Sequence, residues 1–240
     1  SNKKSNIYNE KKIINKNRKF FSVKNYMYDI ENINFYEELK ELSKKYQSPI
    51  LNINSISQYY LNKKIKKKGI KVSISGSGSD EIFAGYYDHF LGYLNSIKKN
   101  KKLFDKNFIL YKKLIYPIIR NIEFKNLNRI NKPIYTRLSD KNDFDYTLKK
   151  SEKINTQNKK YFKSNLKNIL FHQIKENIYP TVYNDDLTAM SASIENRSPF
   201  LDSKIAKYVF EMNSKFYMKN CYSKYILRCC LKGKILPEIL

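Results

Sequence analysis

Residues 69 to 86 read Gly69-Ile70-Lys71-Val72-Ser73-Ile74-Ser75-Gly76-Ser77-Gly78-Ser79-Asp80-Glu81-Ile82-Phe83-Ala84-Gly85-Tyr86. Ile70, Val72 and Ile74 alternate with Lys71 and Ser73, which is the period of a β-strand, and the run then enters a glycine-rich turn that opens a helix on two acids. Small side chains from Ser75 to Ser79 leave backbone N–H groups exposed where a helix start would point at an anion. The pattern predicts a nucleotide-phosphate turn, with Asp80 placed to hold the magnesium that a nucleoside triphosphate brings. A plain tight connection is the competing reading. The spacing is neither that of a P-loop, which needs a lysine and a hydroxyl after its second glycine, nor the three-glycine dinucleotide fingerprint. Two acids at a helix start also complement the helix dipole without any ligand.

Upstream, residues 34 to 46 suit a helix broken by Ser48-Pro49, and Ile56/Tyr60 with Leu61/Ile65 mark a second one ending in Lys66-Lys67-Lys68 and Gly69. A helix leading straight into a strand implies a crossover unit and a parallel sheet. Residues 1 to 30 read as a polar, lysine-rich surface helix and strand pair. Downstream, Ile82, Tyr86, Phe90 and Leu94 beside Phe83, Tyr87 and Leu91 predict one continuous amphipathic helix. Residues 98 to 160 are lysine-rich helical pieces interrupted by Pro117 and Pro133, with an almost wholly polar stretch from Asp140 to Lys160. Phe162, Leu166, Leu170, Ile174 and Ile178 then restore a four-residue row that is expected to stop before Pro180. From there the chain reads as all-α.

The chain has 240 residues, 41% of them hydrophobic and 15% aromatic, enough for a substantial core. Its formal net charge of +25 points toward nucleic acid or an acidic surface. Lysine is nevertheless spread along the whole chain beside abundant asparagine and isoleucine, so a solvated basic surface is the preferred reading and no nucleic-acid partner is expected. Cys221, Cys229 and Cys230 are odd in number and read as reduced thiols of a cytoplasmic protein. His89 and His172 lack paired metal-ligand spacing and read as ordinary helix residues. No apolar run approaches a membrane span and no apolar stretch follows a basic start, so neither a membrane span nor a signal peptide is expected.

Two later clusters carry chemistry. Asp185-Asp186-Leu187-Thr188-Ala189-Met190 leads into Ile194-Glu195-Asn196-Arg197-Ser198-Pro199-Phe200-Leu201-Asp202. Asp202 is read as the N-cap of a helix carrying Ile205, Val209 and Phe210, while Glu195 and Arg197 form either an ion pair bracing Pro199 or part of a binding site. In Ser223-Lys224-Tyr225-Ile226-Leu227-Arg228, Ser223 is expected to cap a helix whose buried row is Ile226, Leu227, Cys230 and Leu231 before Gly233. Lys224 then lies in the first turn, where a cation opposes the helix dipole unless an anion docks beside it. Arg228, one turn on, either reinforces that site or faces solvent.

In this order the clusters resemble the synthetase domain of glutamine-dependent asparagine synthetase. The likeness rests on Ser75-Gly76-x-Gly78-Ser79-Asp80-Glu81-Ile82-Phe83-Ala84-Gly85-Tyr86, on Asp186 with Met190, on Ile194-Glu195-x-Arg197-x-Pro199-Phe200-Leu201-Asp202, and on Ser223-Lys224-Tyr225-Ile226-Leu227-Arg228 through Leu231-Lys232-Gly233. It covers about residues 30 to 240. Tyr87-Asp88-His89-Phe90-Leu91, Arg120-Asn121, Lys125-Asn126 and Ser193 to Pro199 are similar to the branch encoded with bacterial surface-polysaccharide genes.

The resemblance implies an α/β, parallel-sheet ATP-pyrophosphatase (adenine nucleotide alpha hydrolase-like) fold with a large helical C-terminal half. It divides the chain into a truncated lead-in (1–30), a nucleotide-binding part (31–97), a helical elaboration (98–160) and a helical synthetase part (161–240). The implied reaction uses ATP and Mg to activate the aspartate side-chain carboxylate as an acyl-adenylate, which ammonia from a glutaminase domain converts to asparagine. Ser75, Gly76, Gly78 and Arg228 would then lie at the nucleotide, Asp80 would ligate magnesium, Lys224 would neutralise the phosphates as the catalytic cation, and Glu195, Arg197 and Asp186 would meet the substrate. A homodimer is common in such proteins. Two departures matter. Many members have a glutamate between the two glycines, thought to help deprotonate the attacking nitrogen, whereas this chain has Ser77, which is no general base near neutral pH. That leaves open another carboxylate acceptor in surface-polysaccharide metabolism, beside a third reading as a non-catalytic basic module. The Ser-Gly-Gly-x-Asp-Ser phosphate motif and an N-terminal cysteine are also not among these residues, and similar sequence normally continues past Leu240, so these 240 residues are expected to be a fragment with little activity.

Overall fold

The computed structural model describes residues 10–47, 50, 52–133, 135 and 159–240. The Ser48-Pro49 break and nearly all of the polar stretch from Asp140 to Lys160 lie outside them. Helix α1 (Lys11–Phe20) buries no residue and is tied down by Lys16, whose ammonium donates to both carboxylate oxygens of Glu238 at 2.6 and 2.7 Å. No strand follows it before residue 30; Val23 and Met27 are exposed there, with no described strand beside them to complete a ladder.

Helix α2 (Phe35–Tyr46) is capped by the Asn34 side chain, which accepts from Glu37 N–H, and ends with Gln47 in the left-handed region. Helix α3 (Asn54–Lys67) ends on its lysine run and on Gly69 at φ +77°, as the sequence predicts. The two are clamped together by Lys63, 2.8 Å from Glu38 and 2.6 Å from Glu41, and by the Tyr59 hydroxyl, which donates to Glu41. The hydrogen bond from Lys63 is the main cause that holds the Glu41 carboxyl down at about 2. Because both partners are partly exposed, salt screens this clamp and its contribution stays modest.

Strand β1 (Val72–Ile74) pairs in parallel with β2 (Glu195–Arg197), in the register Val72 to Glu195 and Ile74 to Arg197. The second half of the chain is therefore not all-α: it returns a strand to the sheet. The apolar side of β1 is also the open one, since Ile70, Val72 and Ile74 are 43%, 39% and 75% exposed. Among the described residues nothing covers that face.

The helix expected from 79 to 97 is broken in two. Helix α4 (Ser79–Phe83) ends at Ala84, which is left-handed at φ +62°, and α5 (Tyr87–Ile97) starts after Gly85. A continuous helix would have kept Gly85 in register, whereas the break lets the Asp80 and Lys224 side chains meet over it. Helix α6 (Lys101–Leu110) passes through a π-turn (Tyr111–Ile115) into short 3-10 turns, the first holding Pro117. Helix α7 (Asn165–Gln173) runs through a second π-turn (Ile174–Ile178) into α8 (Tyr179–Ser191). The row thus does not stop before Pro180. Proline sits in the first turn of α8, where its missing N–H costs least, and the widened turn before it absorbs the ring.

Helices α5 and α7 pack antiparallel. At one end Gln173 accepts from His89 at 2.6 Å and donates to Asp88 at 2.6 Å; at the other Ser96 and Ser164 lie 3.2 Å apart. The His89 Nδ1 accepts from Tyr86 N–H, so Nε2 carries the proton that goes to Gln173. Around this pair lies the main core, with Leu94, Tyr111, Leu166, Leu170 and Tyr217, while a smaller core of Leu42, Tyr59, Ala189 and Ile194 seats α2 and α3 on α8. Asp202 caps α9 (Ser203–Glu211) through Lys204 and Ile205 N–H, as expected. The cap of α10 (Tyr225–Leu231) is Lys224 rather than Ser223, and no residue of α10 is fully buried; Cys230 is exposed. No described helix is long and apolar enough to cross a membrane. Removing the buried Leu170 side chain with Leu170→Ala is expected to cost about 2–5 kcal/mol by urea denaturation, against under about 0.5 kcal/mol for a polar substitution at the exposed Lys102.

Candidate nucleotide site

Parallel strands put their carboxyl ends on the same side, and that side of a parallel sheet is where open α/β folds bind ligands. Here β1 is followed by Ser75 and β2 by Ser198, whose hydroxyls lie 2.8 Å apart, while Ser75 N–H donates to the Arg197 carbonyl at 2.8 Å. The next three amides, of Gly76, Ser77 and Gly78, have no backbone acceptor among the described residues. Gly78 stands at φ +88°, and a Cβ there would lie 2.1 Å from Leu201, so both conformation and close packing require glycine. Gly76 differs: a Cβ would meet nothing within 4 Å, which leaves the backbone of the turn open to an approaching group.

Lys224 comes to this turn from the other end of the chain. Its Nζ is 2.9 Å from Asp80 Oδ1 and donates to Ser79 Oγ at 3.0 Å. The residue is left-handed at φ +53°, a conformation that a lysine adopts only where its surroundings impose it. Gly85 makes room for the pair, since a Cβ on it would fall 1.7 Å from Asp80 Oδ1 and 2.4 Å from Lys224 Cε. Beside the turn opens a cleft of about 440 Å³ lined by Gly76, Ser77, Gly78, Asp80, Glu81 and Tyr86, with the π-turn residues Glu176 and Asn177 opposite. Glu81 is buried and accepts from the Tyr86 hydroxyl at 2.6 Å.

The remaining site residues read from the sequence have different surroundings. Asp186 is exposed on α8; its neighbour Asp185 is the one buried against the turn, accepting from Ser77 Oγ at 3.1 Å. Sequence reading missed Asp185 because two consecutive aspartates give no sign of which one faces inward. Burial pushes the Asp185 carboxyl above its ordinary range, against the opposing hydrogen bonds of Ser77 and Gln58. Glu195 and Arg197 form an exposed ion pair at 2.8 Å on the outer side of β2. Arg228 donates to the backbone oxygens of Ser223, Ile239 and Leu240. The structure therefore brings together Gly76, Gly78, Asp80 and Lys224, sets Ser75 at the sheet end of the same turn, and gives Glu195, Arg197 and Arg228 other partners.

A family model described as asparagine synthase matches residues 4–240. The chain belongs to the asparagine synthase family. No curated protein and no solved structure matches it. Asparagine synthase domains have the ATP-pyrophosphatase fold, with which a helix-rich chain carrying a small parallel sheet is compatible. Membership implies a ligase-type enzyme that uses ATP. The glycine turn facing Lys224 is the feature of this asparagine synthase-family chain that suits a polyphosphate.

Two outcomes test the local geometry. Gly85→Ala is expected to destabilise the fold by about 1–3 kcal/mol through overpacking, whereas Gly76→Ala, with open space above it, shifts thermal melting by less than about 0.5 kcal/mol. For Asp185, a raised folded-state pKa means that its contribution to stability is greatest in acid and is lost as pH rises through that value. Asp185→Asn keeps an oxygen for Ser77 and is expected to raise the melting temperature near neutral pH but not in strong acid; equal shifts at both ends of the range would contradict this.

Proposed function

We propose that this chain carries the glycine-turn and lysine side of the nucleotide site of an amide-forming ligase, making asparagine from aspartate through an acyl-adenylate with ammonia derived from glutamine. The observation that carries the reading is the meeting of Lys224 with Ser79 and Asp80 at a turn whose amides are free. The chemical difficulty is charge. A carboxylate must approach a polyphosphate, and negative charge grows on the departing pyrophosphate, so fixed donors and a cation at that point lower the barrier by electrostatic stabilisation. The free amides of Gly76, Ser77 and Gly78 orient the phosphates, and Lys224 supplies a full positive charge.

Asp80 neutralises Lys224. A hard-oxygen donor such as Asp80 fits magnesium, which takes one or two carboxylates and completes its shell with phosphate oxygens and water. When bound, magnesium would supply charge neutralisation at the phosphates. Asp80 is the residue that would hold such an ion, and Lys224, beside it and Ser79, is the cation that would face the phosphates. Glu81, held by Tyr86, keeps the cleft wall in place.

A second reading changes the acceptor, and the hydrogen bond from Ser77 to Asp185 favours it. The position that carries a glutamate in many relatives is here a hydroxyl already committed to a buried carboxylate, so the cleft presents a different surface to the substrate. The acidic lining of Asp80, Glu81 and Glu176 then selects an acceptor bearing an ammonium group or a neutral polar body rather than a second carboxylate.

Isothermal titration with ATP and magnesium tests the shared nucleotide reading. Lys224→Ala is expected to weaken binding at least tenfold, with Lys224→Arg failing to restore it fully because a planar guanidinium does not replace a point charge; equal affinities across the three proteins would overturn the assignment. Pyrophosphate release with aspartate and with other carboxylates, in the natural protein and in Ser77→Glu, then separates the two acceptors.

A further inference from the structure

Charge is sorted between two ends of the molecule. The glycine-turn cleft lies at the start of α5 and is lined by Asp80, Glu81 and Glu176. At the other end of the same helix, about 16 Å away by helical rise, opens a second cleft of about 640 Å³ with no acid among the described residues of its wall. Lys98, Lys99, Lys163, Lys167 and Lys215 line it. A neighbouring cleft of about 370 Å³ shares Asn95, Lys98 and Asn165 with it and adds Lys132 and Lys160, again without an acid among the described residues. None of these lysines forms an ion pair among the described residues; Lys167 instead donates to the Phe210 carbonyl at 2.6 Å.

The floor is built and rigid. Ser96 Oγ donates to the Gly92 carbonyl at 2.9 Å, so it accepts from Ser164 at 3.2 Å, and Ser164 in turn accepts from Ser214 at 2.8 Å. All three hydroxyl protons are thereby directed inward, and the lone pairs of Ser214 remain for a ligand hydroxyl. Asn165 is fixed by donating to Asn95 and accepting from Tyr135. The positive end of α7 opens on the same space, adding a partial charge of the same sign as the lysines. Uncompensated cations gathered in a concave wall raise the local concentration of anions.

From this arrangement we infer a second ligand site, for a phosphorylated small molecule carrying hydroxyl groups, between the C-terminal end of α5, the N-terminal end of α7 and the turn at Ser214. Its volume falls within the range of about 300–1,000 Å³ usual for small-molecule pockets. A nucleic acid fits less well. Single strands bind on exposed aromatic platforms, and the aromatic residues here, Phe162 and Tyr135, are half-buried and buried. The site shares no lining residue with the glycine turn and stands independently of the ligase reading.

Inorganic pyrophosphate is the probe, titrated calorimetrically into the natural protein, into Lys224→Ala, and into a Lys98→Gln/Lys163→Gln/Lys215→Gln variant whose circular dichroism shows it folded. Saturable binding that survives in Lys224→Ala and weakens at least tenfold in the triple variant is the expected result, with a corresponding triple arginine variant retaining binding. Absence of saturable binding in Lys224→Ala, or binding there that the triple glutamine variant leaves unchanged, would overturn the site. Tighter binding of a single-stranded oligonucleotide than of pyrophosphate, with a steep salt dependence, would overturn it in favour of nucleic acid.

Discussion

The contact of Lys224 with Asp80 and Ser79 over Gly85 is the constraint on which the rest of the structure depends. It joins residues far apart in the chain, and three local irregularities serve it. Ala84 turns left-handed to end α4 early, Gly85 gives up a side chain so that two others can cross it, and Lys224 itself adopts a positive φ. Each of these costs stability by itself. They are concentrated at one point, beside a turn whose amides have no backbone acceptor among the described residues.

The helices behind the turn make this placement rigid. Tyr86, at the start of α5, gives its N–H to His89 and its hydroxyl to Glu81, while His89 and Asp88 are joined to Gln173 of α7. The cleft wall is therefore connected to the buried α5–α7 pair by a chain of hydrogen bonds, two of which end on the carboxyl groups of Glu81 and Asp88. Linked hydrogen bonds of this kind in a buried setting hold the geometry of the wall. One end of α5 carries acids and the other carries lysines that form no ion pair among the described residues, even though the chain has 47 lysines and arginines against 22 acids.

Much of this was legible in the residues. Helices α2 and α3, the strand, the glycine turn and the Asp202 cap all follow from periodicity and terminal residues, which are local signals. What stayed hidden depended on distant partners. Strand β2 is three residues long, and only its pairing with β1 makes it a strand. The division of α4 from α5 arises because Lys224 arrives from far along the chain, and Ile82, Tyr86, Phe90 and Leu94 keep their apolar spacing across the break. Pro180 signals a stop, yet a π-turn carries the helix path through it. Between Asp185 and Asp186 the sequence offers no choice, whereas packing on α3 and the turn buries the first and exposes the second. The oddly charged helix start at Lys224 was itself the clearest long-range hint, because a cation at that position lacks a local reason.

The most direct measurement is a nuclear magnetic resonance titration of the isotopically labelled protein with ATP and magnesium, following the backbone amides of residues 76 to 79 and the side chain of Lys224 together. Convergence of the turn and the ammonium on one polyphosphate predicts that both sets of signals move along a single binding curve. Movement of only one set, or two unrelated curves, would contradict it.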